Sequence, residues 1–158
     1  MGWLVHEAVQ ESLIQLQEWL FWAHGFEGEC PEIDYFEQIS RRLSAAFNMR
    51  NELHFLIFRK DNHVLIGSCS IHNINWKVSS AEIGYWCRTS KIGKGFIREA
   101  VSTLIDNTFN SIGLHRMNII CDIENTKSVS IPEILGFNLE LEALGLISQT
   151  RSEEIKKM

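Results

Sequence analysis

Two glycines one residue apart stand where a strand-like run gives way to a helix-like pattern. The stretch reads EIGYWCRTSKIGKGFIREA over residues 82–100, with Gly93 and Gly95 on either side of Lys94. The first amides of a helix have no intrahelical partner, and the helix dipole adds partial positive charge there. Glycine also lets the backbone approach a ligand without a Cβ in the way. With Lys94 and Arg98 close by, this junction predicts a site for a phosphate or diphosphate.

Two glycine-loop patterns of nucleotide-binding proteins are absent at this junction. The pattern G-x-x-x-x-G-K-[ST] requires Ser or Thr after its lysine, and Gly95 follows Lys94 here. The pattern G-x-G-x-x-G requires a third glycine, which this helix start lacks. Taken alone, the G-K-G step is therefore also compatible with a connection that binds nothing.

Hydrophobic periodicity predicts the helices that hold this loop in place. Apolar residues recur every three or four positions on one helical face from residue 7 to residue 23, and again from about residue 33 to residue 49. The same spacing follows the loop over residues 96–110. A short helix over residues 128–135 is predicted to end at Gly136.

Four short runs of β-branched and aromatic residues predict strands between those helices. They cover residues 54–58, 64–71, 81–87 and 115–123. The order α-α-β-β-β-α-β-α is typical of a sheet with helices packed on it, α/β or α+β. Because no repeat, low-complexity tract or Pro/Ser-rich linker interrupts residues 1–158, we expect a single domain.

Composition and charge narrow the classes of function. The chain is 45% hydrophobic and 22% charged with a net charge of −5, which argues against a nucleic-acid partner held by bulk electrostatics. No apolar run reaches the roughly 18–20 residues of a membrane span, and the start MGWLVHEAVQ does not resemble a signal peptide. The cysteines form no C-x-x-C pair, so we expect reduced thiols in a cytoplasm and no metal site. These cysteines are Cys30, Cys69, Cys87 and Cys121.

The loop and its neighbours together resemble the acetyl-CoA-binding core of the GNAT N-acetyltransferases. AEIGYW, then GKGF, then EA follow one another in the order of that core, and ENTKSVSIPEILGF (124–137) resembles the next element of the superfamily. The form N-x-x-S-x-x-(I/V)-P-E-x-(L/I)-G-F is typical of the branch that contains the ribosomal-protein acetyltransferases RimJ and RimL. EWLFWA (18–23) and INWKVSSAEIGYW (74–86) resemble two further segments of this branch, and the resemblance covers about residues 6–140. It implies the GNAT acyl-CoA N-acyltransferase fold, a mixed and mostly antiparallel central sheet flanked by helices.

The resemblance implies acetyl-CoA as the cofactor. The diphosphate of coenzyme A would lie on the amides of the glycine loop, and the pantetheine arm would pair with the end of the preceding strand. Ile97 stands where the family has a small residue, so we expect it to crowd the diphosphate and weaken binding. The matching positions are Gly93, Lys94, Gly95, Phe96 and Ile97 for the diphosphate, Arg98 for added charge, and Trp86, Cys87, Arg88, Asn125 and Ser128 along the arm and the thiol.

Two residues match catalytic positions of the family. Acetyl transfer to an amine needs a group that takes the proton of the amine and a group that gives a proton to the leaving thiolate. The resemblance assigns the first role to Glu82, acting through a water, and the second to Ser128. The alternatives are a solvent-facing or ion-paired strand carboxylate for Glu82, a helix-capping serine for Ser128, and a plain helix N-cap for Asn125.

The acceptor is expected to be a primary amine, plausibly a protein N-terminus as in the ribosomal-protein enzymes. Trp19 and Trp22 lie three residues apart in the first predicted helix, so they would face the same way and border the acceptor pocket. Plain core packing is the alternative for both. A small-molecule amine such as an aminoglycoside or a polyamine stays open as the acceptor. His54 and His72 lie in predicted strands and are interpreted as ordinary packed or edge residues.

Both ends of the chain depart from the family pattern. The first helix starts by about His6, which leaves no room for the strand that opens the family fold. After Phe137, LELEALGLI (139–147) predicts one strand and QTRSEEIKKM (149–158) a polar tail or helical stub. Terminal strands are therefore expected to be missing or shortened, which leaves an open sheet edge. A homodimer that completes the sheet, or a truncated coenzyme A-binding module with little or no catalysis, would follow.

Overall fold

The computed structural model describes residues 1–143 and 145–153, and helices and strands alternate along them much as the sequence predicts. The helices are α1 (Gly2–Trp19), α2 (Phe21–His24), α3 (Ile33–Asn48), α4 (Phe96–Asn107) and α5 (Thr126–Ile134), with a 3₁₀ turn at Thr89–Lys91 and a π-helical turn at Thr108–Ile112. The strands are β1 (Leu53–Phe58), β2 (Leu65–Asn75), β3 (Ser80–Cys87), β4 (Arg116–Asp122), β5 (Asn138–Ala143) and β6 (Leu146–Ser152).

The strands form one mixed sheet, in the order β1-β2-β3-β4-β6-β5. β3 and β4 run parallel, whereas β6 pairs antiparallel with both β4 and β5. The predicted α/β class with a mixed, mostly antiparallel sheet is confirmed. The ladder between β3 and β4 ends at the pair Glu82–Asn118, while β3 itself continues to Cys87.

The chain divides into two compact units. Among the described residues, 1–70 and 85–97 form the first unit, and 71–84, 98–143 and 145–153 form the second. In the first unit, α1 and α3 pack around a core in which Val9, Leu16 and Phe36 are at most 4% exposed. α1 ends at Trp19 because Leu20 adopts an extended conformation, with φ −114° and ψ 115°.

In the second unit, α5 packs against β4 and β6. Met117 and Ile119 of β4 are 0% and 1% exposed, whereas Asn118 between them points to the opposite face of the sheet. α5 is capped by Asn125, whose Oδ1 accepts a hydrogen bond from the Ser128 N–H. Among the described residues, no helix is both long enough and apolar enough to cross a membrane.

The prediction of a single C-terminal strand and a polar tail is wrong. Two strands form there, β5 and β6, and they reverse around Gly145, whose φ of +77° suits a residue without a side chain. Gln149 and Thr150, expected in the tail, belong to β6. Their side chains are buried, and they donate hydrogen bonds to Val129 O and to Asn118 Oδ1. β6 fills the position beside β4, so the C-terminal part of the sheet is not shortened as expected. The expected absence of a strand before the first helix agrees with the described residues, in which α1 comes first and β1 lies at an edge of the sheet. Leu144 and residues 154–158 lie outside the described part of the chain.

Candidate functional site

The glycine loop has the backbone geometry that its sequence requires. Gly93 and Gly95 have φ values of +76° and +81°, a region that costs residues with a Cβ about 1 kcal/mol or more. α4 begins at Phe96, directly after Gly95, so its first amides stand at the end of the loop. Lys94 is exposed. The loop therefore presents helix-terminal N–H groups and a cationic side chain to one small region of the first unit.

Ile97, which is expected to crowd the diphosphate, has a buried side chain. It is 7% exposed and is part of the core. The expected crowding of a diphosphate by this side chain therefore has no support, although its backbone N–H remains one of the first amides of α4. Arg98, the next residue, is exposed and opens the part of α4 that belongs to the second unit.

The turn before the loop is held by side chains of α1. Glu11 Oε1 accepts from Ser90 N at 2.9 Å, and Ser12 Oγ accepts from Thr89 N at 2.9 Å. Polar side chains at these spacings share one side of a helix, so a single helical face reaches the turn. We call this face the α1 clamp; its residues are Glu7, Glu11, Ser12 and Gln15, the last of which accepts from Thr89 Oγ1 at 3.0 Å.

Arg88 is part of this arrangement. Its guanidinium donates to Glu7 Oε1 at 2.6 Å and to Glu11 Oε2 at 2.5 Å, and the side chain is 13% exposed. Its backbone N–H donates to Ile66 O at 2.7 Å, and its carbonyl accepts from Lys91 N at 2.9 Å. The N–H, the carbonyl and the guanidinium thus each have a protein partner, and the expected cofactor contact of Arg88 has no support in this geometry.

Glu82 lies on the more open face of β3, in the second unit. Its neighbours Ala81 and Ile83 are 3% and 2% exposed and point to the other face, whereas Glu82 is 28% exposed. Its Oε2 lies 3.6 Å from Nε2 of His72 on β2. Asn118 on β4 is the register partner of Glu82 and therefore shares its face.

A row of polar side chains continues from Glu82 across the sheet. Asn118 pairs in register with Thr150, whose Oγ1 is 3.1 Å from Asn118 Oδ1 and 2.6 Å from Glu140 Oε2. Glu140 also forms an ion pair with Arg116. The hydrogen bonds from Thr150 and Arg116 hold the pKa of Glu140 below its ordinary value. The carboxylate at the end of this row thus stays charged down to lower pH than a free glutamate.

The comparisons with known proteins identify the family. A family model described as "Acetyltransferase (GNAT) domain" matches residues 4–138. The chain belongs to the GNAT acetyltransferase family.

Two curated relatives belong to the same class of enzymes by name. "Putative ribosomal N-acetyltransferase YdaF" of Bacillus subtilis (strain 168) is 40% identical over 135 residues, 83% of this chain and 71% of the relative. "Ribosomal-protein-serine acetyltransferase" of Escherichia coli (strain K12) is 38% identical over 86 residues, 54% of this chain and 47% of that enzyme. The chain spans about half the length of several curated relatives that it matches.

Solved structures show the same fold. RimL, a ribosomal L7/L12 α-N-protein acetyltransferase in complex with coenzyme A, superimposes with a TM-score of 0.85 over 96% of this chain and 88% of that protein. Its sequence identity of 19% makes this a likeness of fold. The predicted GNAT fold and the resemblance to the RimJ/RimL branch are thus confirmed.

The two tryptophans assigned to the GNAT acceptor pocket do not share a helical face. Trp19 ends α1, the extended Leu20 breaks the helix, and Trp22 belongs to α2. The argument from a spacing of three therefore fails, because it assumes one continuous helix. Trp22 is 42% exposed and lies edge-on to Trp86, with ring centroids 6.3 Å apart. In the first unit, the candidate acceptor-binding residue Trp22 thus contacts the candidate cofactor-binding residue Trp86.

The structure also shows how α5 begins, the helix whose first turn is expected to approach the coenzyme arm of a GNAT enzyme. Asn125 is the N-cap of α5, as the alternative interpretation had it, and this role uses its Oδ1. Ser128 is not the cap, because it donates its own N–H to Asn125. Ser128 is half-buried in the first turn of α5. Its hydroxyl is not needed as the cap of this helix.

Two cysteines beside the GNAT candidate residues are poor nucleophiles. Burial raises the pKa of Cys87 to about 11. Burial, with smaller contributions from Asp122 and Glu133, also raises the pKa of Cys121 to about 11. At neutral pH both thiols are therefore protonated, and the thiolate is the reactive form.

Several residues of these arrangements were not found from the sequence. Glu11 and Ser12 act through hydrogen bonds to residues more than 70 positions away, and Asn118 and Thr150 meet through strand register. Strand alternation places each of them on a face but does not say which strands are neighbours. The sequence indicates His72 only as an ordinary packed or edge residue of a strand.

Proposed function

We propose that this GNAT domain transfers an acetyl group from acetyl-CoA to a primary amine. The observation that carries the proposal is the glycine loop, with Gly93 and Gly95 both at positive φ immediately before α4. In a GNAT chain this is the place for the diphosphate of coenzyme A. Protein relatives named as ribosomal-protein acetyltransferases and the coenzyme A complex of RimL support the same cofactor.

The glycine loop and the end of β3 would bind different parts of coenzyme A. Amides of residues 93–97 would hold the diphosphate, and Lys94 and Arg98 would add positive charge. The arm of the coenzyme would pair with the extended backbone around Cys87, beyond the last β3–β4 ladder pair. The α1 clamp supports this assignment, because it keeps the turn before the loop in one conformation.

The chemical step requires a general base, a donor for the oxyanion and a general acid from the protein. Glu82 would take the proton of the attacking amine through a water, so that the nitrogen lone pair can attack the thioester carbon. A backbone N–H near Trp86 or Cys87 would stabilise the oxyanion. The carbon–sulfur bond then breaks, and Ser128 would protonate the leaving thiolate.

The acceptor that the relatives favour is the N-terminal amine of a protein. Both curated relatives are named for ribosomal acetylation, and one of them for serine. A peptide with an N-terminal serine is therefore the first substrate to test. The acceptor is expected beside Trp22, the exposed ring next to Trp86. A homodimer and a cytoplasmic location stay predictions of the sequence.

A small polycationic amine is the second candidate acceptor. The connection from α2 into α3 carries the exposed carboxylates Glu27, Glu29, Glu32 and Asp34. In the same unit, Phe26 contacts Tyr35 with ring centroids 5.6 Å apart, and both carboxylates and aromatic faces attract ammonium groups.

Two measurements on the full chain test the proposal. Calorimetric titration with acetyl-CoA should give saturable one-to-one binding. Mass spectrometry should then show acetylation of serine-initiated peptides or of a polyamine. We expect Glu82→Gln to lower kcat by about 10²–10⁴ without weakening acetyl-CoA binding. Binding without turnover of any amine would instead identify a non-catalytic coenzyme A module, and absence of binding would refute the cofactor assignment.

A further inference from the structure

His72 and Glu82 form a pair that strand alternation alone does not predict. The imidazole Nε2 lies 3.6 Å from the carboxylate Oε2, and both side chains lie in the second compact unit. β2 and β3 are neighbours in the sheet. The separation is that of an ion pair when the imidazole is protonated, and it is too long for a direct hydrogen bond.

The pair lies at the start of the polar row. Ile71 is fully buried and points away from this face, so His72 points towards it with 33% of its side chain exposed. Glu82 places a carboxylate against the imidazole, and Asn118, next along the row, carries no charge. The imidazole therefore contacts both an anionic group and solvent.

We infer that His72 and Glu82 form a two-group proton relay for acetyl transfer, an inference that rests on the proposed function. A free imidazole has a pKa of about 6.5 and a free glutamate one of about 4.3, so imidazole is the stronger base. An amine is mostly an ammonium at neutral pH, and the proton it gives up moves less far uphill onto an imidazole than onto a carboxylate. Imidazole is also the side chain that exchanges protons most readily between pH 5 and 8.

The relay balances the reaction. The ammonium loses a proton through a water to the pair, its nitrogen bonds to the acetyl carbon, and the carbon–sulfur bond breaks to give the thiolate, which takes a proton from Ser128. The proton held by the pair rests on Nε2 of His72, 3.6 Å from the Glu82 carboxylate. The exposed part of the imidazole then hands it to water. As the amide forms, its nitrogen gives up a second proton, which restores the hydroxyl of Ser128. Each turnover therefore releases one proton to solvent, the one that passed through the pair.

The chain provides a matched control for this pair. His54 Nε2 lies 3.1 Å from Glu52 Oε2, and its side chain is 30% exposed. His54 lies on β1, which carries no residue of the proposed machinery. The residue types are the same as for His72 and the exposure of the imidazole is similar, but this pair lies at the start of β1 and is close enough for a direct hydrogen bond.

The experiment measures kcat, KM and coenzyme binding for the full chain and for the variants His72→Ala, Glu82→Gln and His54→Ala. We expect His72→Ala to lower kcat by about tenfold or more, with acetyl-CoA affinity within about twofold of the parent. Added imidazole should restore part of the kcat of His72→Ala by replacing the missing proton acceptor, and should leave Glu82→Gln unchanged. His54→Ala should behave as the parent protein.

The outcomes separate this inference from the proposed function. A parent protein that acetylates no amine overturns both. An active parent with an equally active His72→Ala variant overturns the relay alone. A His72→Ala variant that is folded and slow but does not respond to imidazole also overturns it, because His72 would then serve packing.

Discussion

Glu11 Oε2 accepts a hydrogen bond from Arg88 Nε at 2.5 Å, although the two residues are 77 positions apart. The same carboxylate holds Ser90 N through its other oxygen. One side chain of α1 thus fixes the guanidinium that follows β3 and the turn that leads into the glycine loop. A helix that precedes the sheet in sequence thereby sets the conformation of the proposed cofactor loop.

Removing this carboxylate should loosen the loop. We expect Glu11→Ala to lower the free energy of unfolding by about 1–2 kcal/mol, because it leaves Arg88 with one carboxylate and Ser90 N without its acceptor. The affinity for acetyl-CoA should fall by about threefold to tenfold, the equivalent of about 1 kcal/mol. Urea denaturation and calorimetry measure the two effects. Ile14→Ala, on the same helix and 88% exposed, is the control that should change neither.

The α1 clamp should also depend on pH. Burial by itself raises the pKa of Glu11, but the hydrogen bonds from Ser90 and Arg88 outweigh it and bring the pKa below its ordinary value. A carboxyl of this kind contributes stability that is complete above the pKa of the unfolded chain and is lost as the pH falls through the lower folded value. The difference in unfolding free energy between the parent and Glu11→Gln should therefore be largest near pH 7 and shrink below about pH 4. A difference that stays constant over this range would contradict the prediction.

Gly95 should be required for cofactor binding, beyond its effect on stability. Its φ of +81° strains any residue with a Cβ, and the strain falls on the amides that open α4. We expect Gly95→Ala to weaken acetyl-CoA binding by more than about tenfold. Gly113→Ala is the matched control, because Gly113 has a φ of +85° and open space around it. That variant should lose about 1 kcal/mol of stability and keep its affinity. Equal affinities for the two variants would argue against the loop as the diphosphate site.

Gly67 should be needed for the approach of β2 to the end of β3. A Cβ at this position would collide with the backbone oxygen of Trp86 and crowd Cys87. We expect Gly67→Ala to cost about 1–3 kcal/mol in the free energy of unfolding, measured by urea denaturation. Gly25→Ala serves as the control, since nothing lies within 4 Å of its Cβ position and its φ of −74° suits alanine. A Gly67→Ala variant as stable as the parent would show that the two strands can separate at little cost.

Local patterns accounted for most of the elements. The helical spacing over residues 33–49 predicted α3, and the alternation in AEIGYWC predicted β3, because the periods of helix and strand are properties of the backbone. The prediction was wrong at Leu20, where an extended residue divides one apolar stripe between two helices. It was also wrong at QTRS, where strand residues look like a polar tail because their partners come from elsewhere in the chain.

By itself, the sequence determined the fold class, the family and the glycine loop. These depend on residue types at fixed short spacings, and the family model over residues 4–138 agrees with them. Only the tertiary structure decided that Glu11 grips the turn before the loop, that Trp22 meets Trp86, and that His72 stands against Glu82. The physical reason is that these contacts follow from strand order, register and helix packing. Strand order, register and helix packing are set by the burial of the whole apolar core, and no short segment of the sequence determines them alone.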